Sequence, residues 1–209
     1  MFERPTKRVL EIGAAGVLAL LAAGCSRPGA TAPATAAVSG PAGENKMPLT
    51  TSELNVTSPA FTPNARIPPR YTGEGPDVSP ALAWSGVAGG APVFGLVMDD
   101  PDAPRPEPWV HWVIYKIPGS TTGLAENVEK TPRPAQPAGV VQGKNTWGRA
   151  GYGGPMPPPG HGTHHYHFRL YALDAPLNAG PGLSKDELLK AMQGHVIGEG
   201  ELVGTYERK

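Results

Sequence analysis

The chain of 209 residues has room for one domain of ordinary size plus some unstructured sequence. Its 18 Lys+Arg and 18 Asp+Glu cancel, which excludes the basic footprint of a nucleic-acid binder, and its single cysteine excludes an intramolecular disulfide framework. A 39% hydrophobic share suits a globular core, while 28 Gly and 26 Pro favour short strands joined by turns over long helices.

At the N-terminus, Arg4, Lys7 and Arg8 precede an apolar run over residues 12–23 and then Gly24-Cys25. A basic end, a short apolar core and small residues mark a secretory signal peptide, here expected over residues 1–24. The segment Leu21-Ala22-Ala23-Gly24-Cys25 resembles a bacterial lipobox, whose cysteine is lipidated and becomes the new N-terminus. The alternative is a cleaved secretory signal with an incidental cysteine. Residues 25–53 are rich in Ala, Pro, Thr, Gly and Ser and cannot bury enough surface to offset their ordering entropy. They read as a flexible tether reaching roughly 25–30 Å from a lipid anchor. The expected location is the bacterial cell envelope, with the folded domain over residues 54–209 facing the periplasm or exterior.

Within that domain, residues 91–98 (APVFGLVM) form a nearly continuous apolar run ending at Asp99-Asp100-Pro101, the pattern of a buried strand meeting a polar loop. Residues 109–117 (WVHWVIYKI) are aromatic and β-branched, hence a central strand. Residues 166–173 alternate, with Tyr166, Phe168 and Leu170 on one face and His167, Arg169 and Tyr171 on the other. A helix is expected over residues 183–193, with Ser184 and Glu187 as a capping box and Leu188, Leu189 and Met192 as its apolar stripe. Residues 200–208 close the domain as a last strand. The fold class is mainly β, a sandwich with few short helices.

Two polar clusters carry the candidate chemistry. The first is Asp99-Asp100-Pro101-Asp102-Ala103-Pro104 with His111 on the next strand, a stiff loop that holds its carboxylates in place. Ordinary Asp-Pro turn chemistry is its bland alternative. The second runs from Gly151-Tyr152-Gly153-Gly154-Pro155 through Pro157-Pro158-Pro159-Gly160-His161-Gly162 to His164-His165-Tyr166-His167. Its glycines allow close backbone approach and leave amides for an anion, and its prolines make a wall. Strand alternation puts His164 and Tyr166 on one face and His165 and His167 on the other, where the latter pair reads as surface. That split opposes a three-histidine metal site, and HExxH, GxSxG, GxGxxG and P-loop motifs are all missing from the sequence. No catalytic residue, metal or cofactor is assigned.

The stretches SPAF, IP and YTG near residues 58–73, DPDAP at 100–104, WVHW at 109–112, YGGP at 152–155 and PPGHGTHHYHF at 158–168 resemble the phosphatidylethanolamine-binding protein family, also called the Raf-kinase-inhibitor-like family, in its bacterial YbhB/YbcL-type branch. The resemblance implies a large central antiparallel sheet, a smaller sheet packed on it, and a shallow pocket for phosphate, phospholipid head groups and carboxylates. It places Asp100, Asp102, His111, Pro159, Gly160, Gly162, His164 and Tyr166 in that pocket. The expected function is non-enzymatic anion binding, with modulation of a partner protein in the envelope. The expected role of the aspartates is to accept from the imidazoles and keep them positive. The competing class is an acid–base or metal-assisted hydrolase built on the same Asp/His cluster.

Overall fold

A computed structural model describes residues 51–87 and 90–209. The signal-like segment, Cys25 and the tether through residue 50 lie outside the described residues. In chain order the elements are β1 (Ser52–Glu53), β2 (Asn55–Thr57), a 3-10 turn (Pro69–Tyr71), β3 (Leu82–Ser85), β4 (Val93–Asp100), β5 (Trp109–Pro118), β6 (Gly123–Leu124), β7 (Val141–Gln142), β8 (His164–Leu173), α1 (Lys185–Met192) and β9 (Val196–Tyr206).

The large sheet has the order β1-β9-β8-β4-β5-β7 and the small one β2-β3-β6. The large sheet is antiparallel as expected except at one edge, where Ser52 and Glu53 run parallel to Gly198 and Glu199 of β9. The chain pairs there briefly, buries Leu54 with its amide donating to the Glu199 carbonyl at 2.7 Å, and crosses into the small sheet as β2. The ordered sheet therefore takes in two residues that composition had given to the tether.

β4 is the axis of the molecule, flanked by β5 and β8 and buried along its whole length. Both faces are covered, which explains its nearly continuous apolar run. Phe94, Leu96 and Met98 join Trp112, Ile114, Phe168 and Leu170 in the core between the sheets. Val93 and Val97 join Val113, Tyr115, Leu188 and Met192 under α1. Each fully buried side chain of this size contributes roughly 1.5–3 kcal/mol relative to exposure. The strand starts and ends two residues later than expected, because Asp99 and Asp100 keep their ladder pairing with Val110 and Trp109. The helix begins at its capping box: Ser184 Oγ accepts from the Glu187 amide and the Glu187 carboxylate accepts from the Ser184 amide.

Candidate functional site

Four elements bring the two polar clusters to one end of the large sheet: the end of β4, the start of β5, the start of β8, and the loops over residues 145–163. A β-bulge makes the first placement. Met98 pairs with Trp112 while Asp99 pairs with Val110, so His111 is the extra residue on β5. A bulge re-aims one side chain. Here it lets the consecutive residues His111 and Trp112 both turn to the face that carries Tyr166: the His111 and Tyr166 rings meet edge-on at 5.1 Å, and Trp112 packs in the same core.

Gly153 clamps the re-aimed ring. Its amide donates to the His111 carbonyl at 3.0 Å, and its own carbonyl accepts from His111 Nδ1 at 2.6 Å. A carbonyl can only accept, so the proton sits on Nδ1 and Nε2 is left for another partner. Trp147 lies directly over Gly153, where a Cβ would come within 2.5 Å of its ring. Burial pulls the His111 pKa below the ordinary histidine value, against the opposing pull of the Gly153 carbonyl and Asp100. This corrects the expectation that the aspartates keep this imidazole positive: full burial outweighs them, and the ring is neutral near pH 7.

On β8, alternation holds as read. His164 and Tyr166 are buried, while His165 is exposed and His167 half-buried. Asp100 is buried, and its Oδ2 accepts from His164 Nδ1 at 2.7 Å. His164 Nε2 in turn shares a hydrogen bond with His161 Nδ1 at 2.8 Å. The result is a carboxylate–imidazole–imidazole chain running from the buried end of β4 to the exposed His161. The turn that returns His161 over β8 needs left-handed backbone on both sides, with φ of 73° at Gly160 and 90° at Gly162.

Between these groups lies a cavity of about 280 Å³, walled by Asp100, His111, His164, Tyr166, Trp109 and Trp147, with Ala103, Pro104, Met156, Pro157 and Pro158 completing it. Two buried polar atoms of wall residues have no protein partner among the described residues, Tyr166 Oη and Trp109 Nε1. Burial, then the nearby Asp100 charge, raises the Tyr166 pKa far above the ordinary phenol range. Tyr166 therefore keeps its proton and, like the indole of Trp109, has a donor to give.

The other implied site residues sit elsewhere. Asp102 leaves the wall: its Oδ2 accepts from both the amide and Nδ1 of His165 at 2.8 Å, on the exposed side of the loop. Burial pulls its pKa up, but these hydrogen bonds together outweigh that and hold it below the ordinary carboxylate value. Pro159, Gly160 and Gly162 do not line this cavity, whose proline wall is Pro104, Pro157 and Pro158; the left-handed Gly160 and Gly162 belong to the turn beyond it that carries His161. The amides of Gly153, Gly154 and Gly160, read as available for an anion, are spent on His111, Asp77 and Arg208. Sequence reasoning missed Trp147 and Met156, two loop residues whose only signal in the sequence is being large and apolar; the structure leaves them 38% and 43% exposed. Among the described residues, no three His, Cys, Asp or Glu side chains converge as a metal site.

The bulged histidine, the aspartate-held histidine and the proline wall thus gather at one end of a β-sandwich. The phosphatidylethanolamine-binding protein family model matches residues 57–207, and the chain belongs to that family. It is 51% identical over 155 residues to a UPF0098 protein of Methanothermobacter thermautotrophicus, covering 74% of this chain and 99% of that one. A UPF0098 protein of Pyrococcus horikoshii is 47% identical over 167 residues, 80% of each chain. Two crystal structures share the fold. A putative phosphatidylethanolamine-binding protein homologue from Chlamydia trachomatis is 38% identical with a TM-score of 0.66, over 77% of this chain and 99% of that one. Escherichia coli YbcL, described as a new member of the mammalian family, is 33% identical with a TM-score of 0.70, over 75% and 99%. Membership places the chain in a binding-type family that is in general non-catalytic.

Proposed function

We propose that this chain binds small anions (phosphate, phosphorylated head groups and carboxylates) in the cavity between His111, His164 and Tyr166, and does so without turning them over. The observation that carries the reading is the pair of buried, unpartnered donors, Tyr166 Oη and Trp109 Nε1, in residues of one wall. Buried polar groups without partners are rare and costly, so a wall with two of them is suited to a ligand that accepts. His111 Nε2 adds the third contact. As a neutral ring it accepts from a protonated phosphate oxygen; once protonated it donates to the anion. The second case takes up a proton on binding, so affinity for an unprotonated anion falls as pH rises through the histidine range.

Anchored through a lipid on Cys25, the module would act at the surface of an envelope membrane, where an occupied pocket can also serve as a docking cue for a protein partner. One observation favours a second reading: the Asp100–His164–His161 chain would serve a hydrolase as a proton path. Calorimetric titration of the full-length chain with phosphate and phosphoethanolamine, beside a folded His164→Ala variant, tests the first. Saturable binding weakened at least about tenfold in the variant supports it. Absence of saturable binding overturns it, and turnover of phosphate esters abolished by His164→Ala would replace it with the second.

A further inference from the structure

A second, larger cavity of about 530 Å³ adjoins the first, and Trp147 and Met156 belong to the walls of both. Its floor is Tyr152, Gly153 and Gly154, and its rim carries Asp77, Lys130 and Arg149. These rim charges are not equivalent. Lys130 Nζ is matched by Asp77 Oδ2 at 2.5 Å, whereas the Arg149 guanidinium makes no hydrogen bond or ion pair among the described residues. The rim thus carries one uncompensated positive charge.

An exposed arginine alone would carry nothing, but this one is built in. Asn145, buried at the base of the loop, donates its amide to the Arg149 carbonyl at 3.0 Å and accepts the Arg149 amide on Oδ1 at 3.1 Å. The neighbouring Thr146 is tied to Val110 of β5 by two hydrogen bonds, one residue from His111. Trp147, between them, is edge-on to both Trp109 at 5.2 Å and His111 at 5.3 Å. One short, rigid loop therefore fixes a wall of the anion cavity, an exposed indole, and an unmatched guanidinium in sequence. Outside the two cavities they divide, no other large hydrophobic side chain among the described residues is as exposed as Trp147 and Met156.

We propose that the two cavities form one bipartite site for a small amphipathic dianion. Its anionic head sits among His111, His164 and Tyr166. Its planar or apolar arm crosses between Trp147 and Met156, and a second anionic group meets Arg149. This rests on the anion reading of the first cavity and deepens it, since a bare phosphate would leave the indole, the thioether and the guanidinium without a role. Flat contact area on an aromatic ring and a charge-assisted arginine pair are the two chemistries this surface offers.

Three probes separate the parts: inorganic phosphate, phenyl phosphate, and 4-(2-carboxyethyl)phenyl phosphate, whose flexible tail can find the guanidinium. Titrated into the full-length chain, phenyl phosphate binds about tenfold tighter than phosphate, a gain lost in Trp147→Ala. The propionate adds a further gain of about threefold, and in Arg149→Gln the ratio between the two aryl phosphates falls to about one. If phosphate binds but the ring adds nothing, or if the propionate gain survives in Arg149→Gln, the bipartite site is overturned while the anion cavity stands. If none of the three probes binds, both readings fall together.

Discussion

Asp99 and Asp100 are consecutive, both buried, and point to opposite faces of β4. Asp99 faces the α1 side, where Arg169 Nη1 donates to Oδ1 at 2.6 Å and Lys185 Nζ pairs with Oδ2. Its two partners carry permanent charge, so the carboxylate is neutralised outright and ties β8 and the first turn of α1 to the sheet. Asp100 faces the cavity and accepts from the His164 ring, which passes the hydrogen bond on to His161. A buried carboxylate matched by fixed cations locks structure. The same group matched by a chain of two imidazoles, beside unpartnered donors, lines a place suited to a ligand.

The sharpest way to break that contrast is at its structural half. Asp99→Ala leaves Arg169 and Lys185 without their shared partner and should cost about 3 kcal/mol, since removing one member of a buried ion pair strands the others. Thermal unfolding should show a midpoint lowered by roughly 10 °C for a domain of this size, while phosphate affinity of the folded protein stays within about twofold. A collapse of affinity with intact stability would mean the two faces have been assigned the wrong way round.

The next effect comes from His111. Its pKa is depressed by burial, from an ordinary 6.5. Between that lowered value and 6.5 the unfolded chain binds the proton and the folded chain does not, so stability is full above 6.5 and declines as pH falls. The slope for one group is at most about 1.4 kcal/mol per pH unit. Sulfate, which carries no proton in this range, should restore the lost stability by engaging the protonated ring. Its affinity should weaken as pH rises from about 5 to 8. A sulfate affinity that stays level across that interval removes His111 from the anion's contacts.

Tyr166→Phe should split stability from binding. The hydroxyl is buried without a partner, so deleting it should leave the unliganded protein unchanged or stabilised by up to about 1 kcal/mol. The same deletion should weaken phosphate binding about tenfold, the worth of one good hydrogen bond to an anion. A tyrosine kept for packing alone would show neither change.

These contrasts also mark what the sequence could and could not reveal. The alternation of β8 was legible because each residue of HHYHF reports its own face through period two. The helix was legible because Ser184 and Glu187 lie within one turn of each other. The fate of the two aspartates was not, because Arg169 and Lys185 lie 70 and 86 residues from Asp99 and His164 lies 64 from Asp100. Nothing local distinguishes a residue bound for the lock from one bound for the cavity. The bulge at His111 was hidden for a related reason: it is an offset between two strands, and WVHW reads as plain alternation until β4 is laid beside it. β1 and β2 are too short to carry a period at all.

Asp102 gives the smallest expected effect and bears most directly on how far a family pattern transfers to this chain. The resemblance puts it in the pocket, whereas the structure turns its carboxylate to the exposed His165 and leaves only its amide, donating to Asp100 Oδ1 at 2.9 Å, on the cavity side. An exposed aspartate–histidine pair contributes about 0–0.5 kcal/mol, and the backbone amide survives any side-chain change. Asp102→Ala should therefore shift the unfolding midpoint by no more than about 2 °C and phosphate affinity by less than about twofold. A tenfold loss of affinity in this variant, with stability unchanged, would show that the DPDAP loop rotates on binding and brings the second carboxylate into contact with the histidines, so that the cavity described here is the unliganded arrangement of a loop that closes.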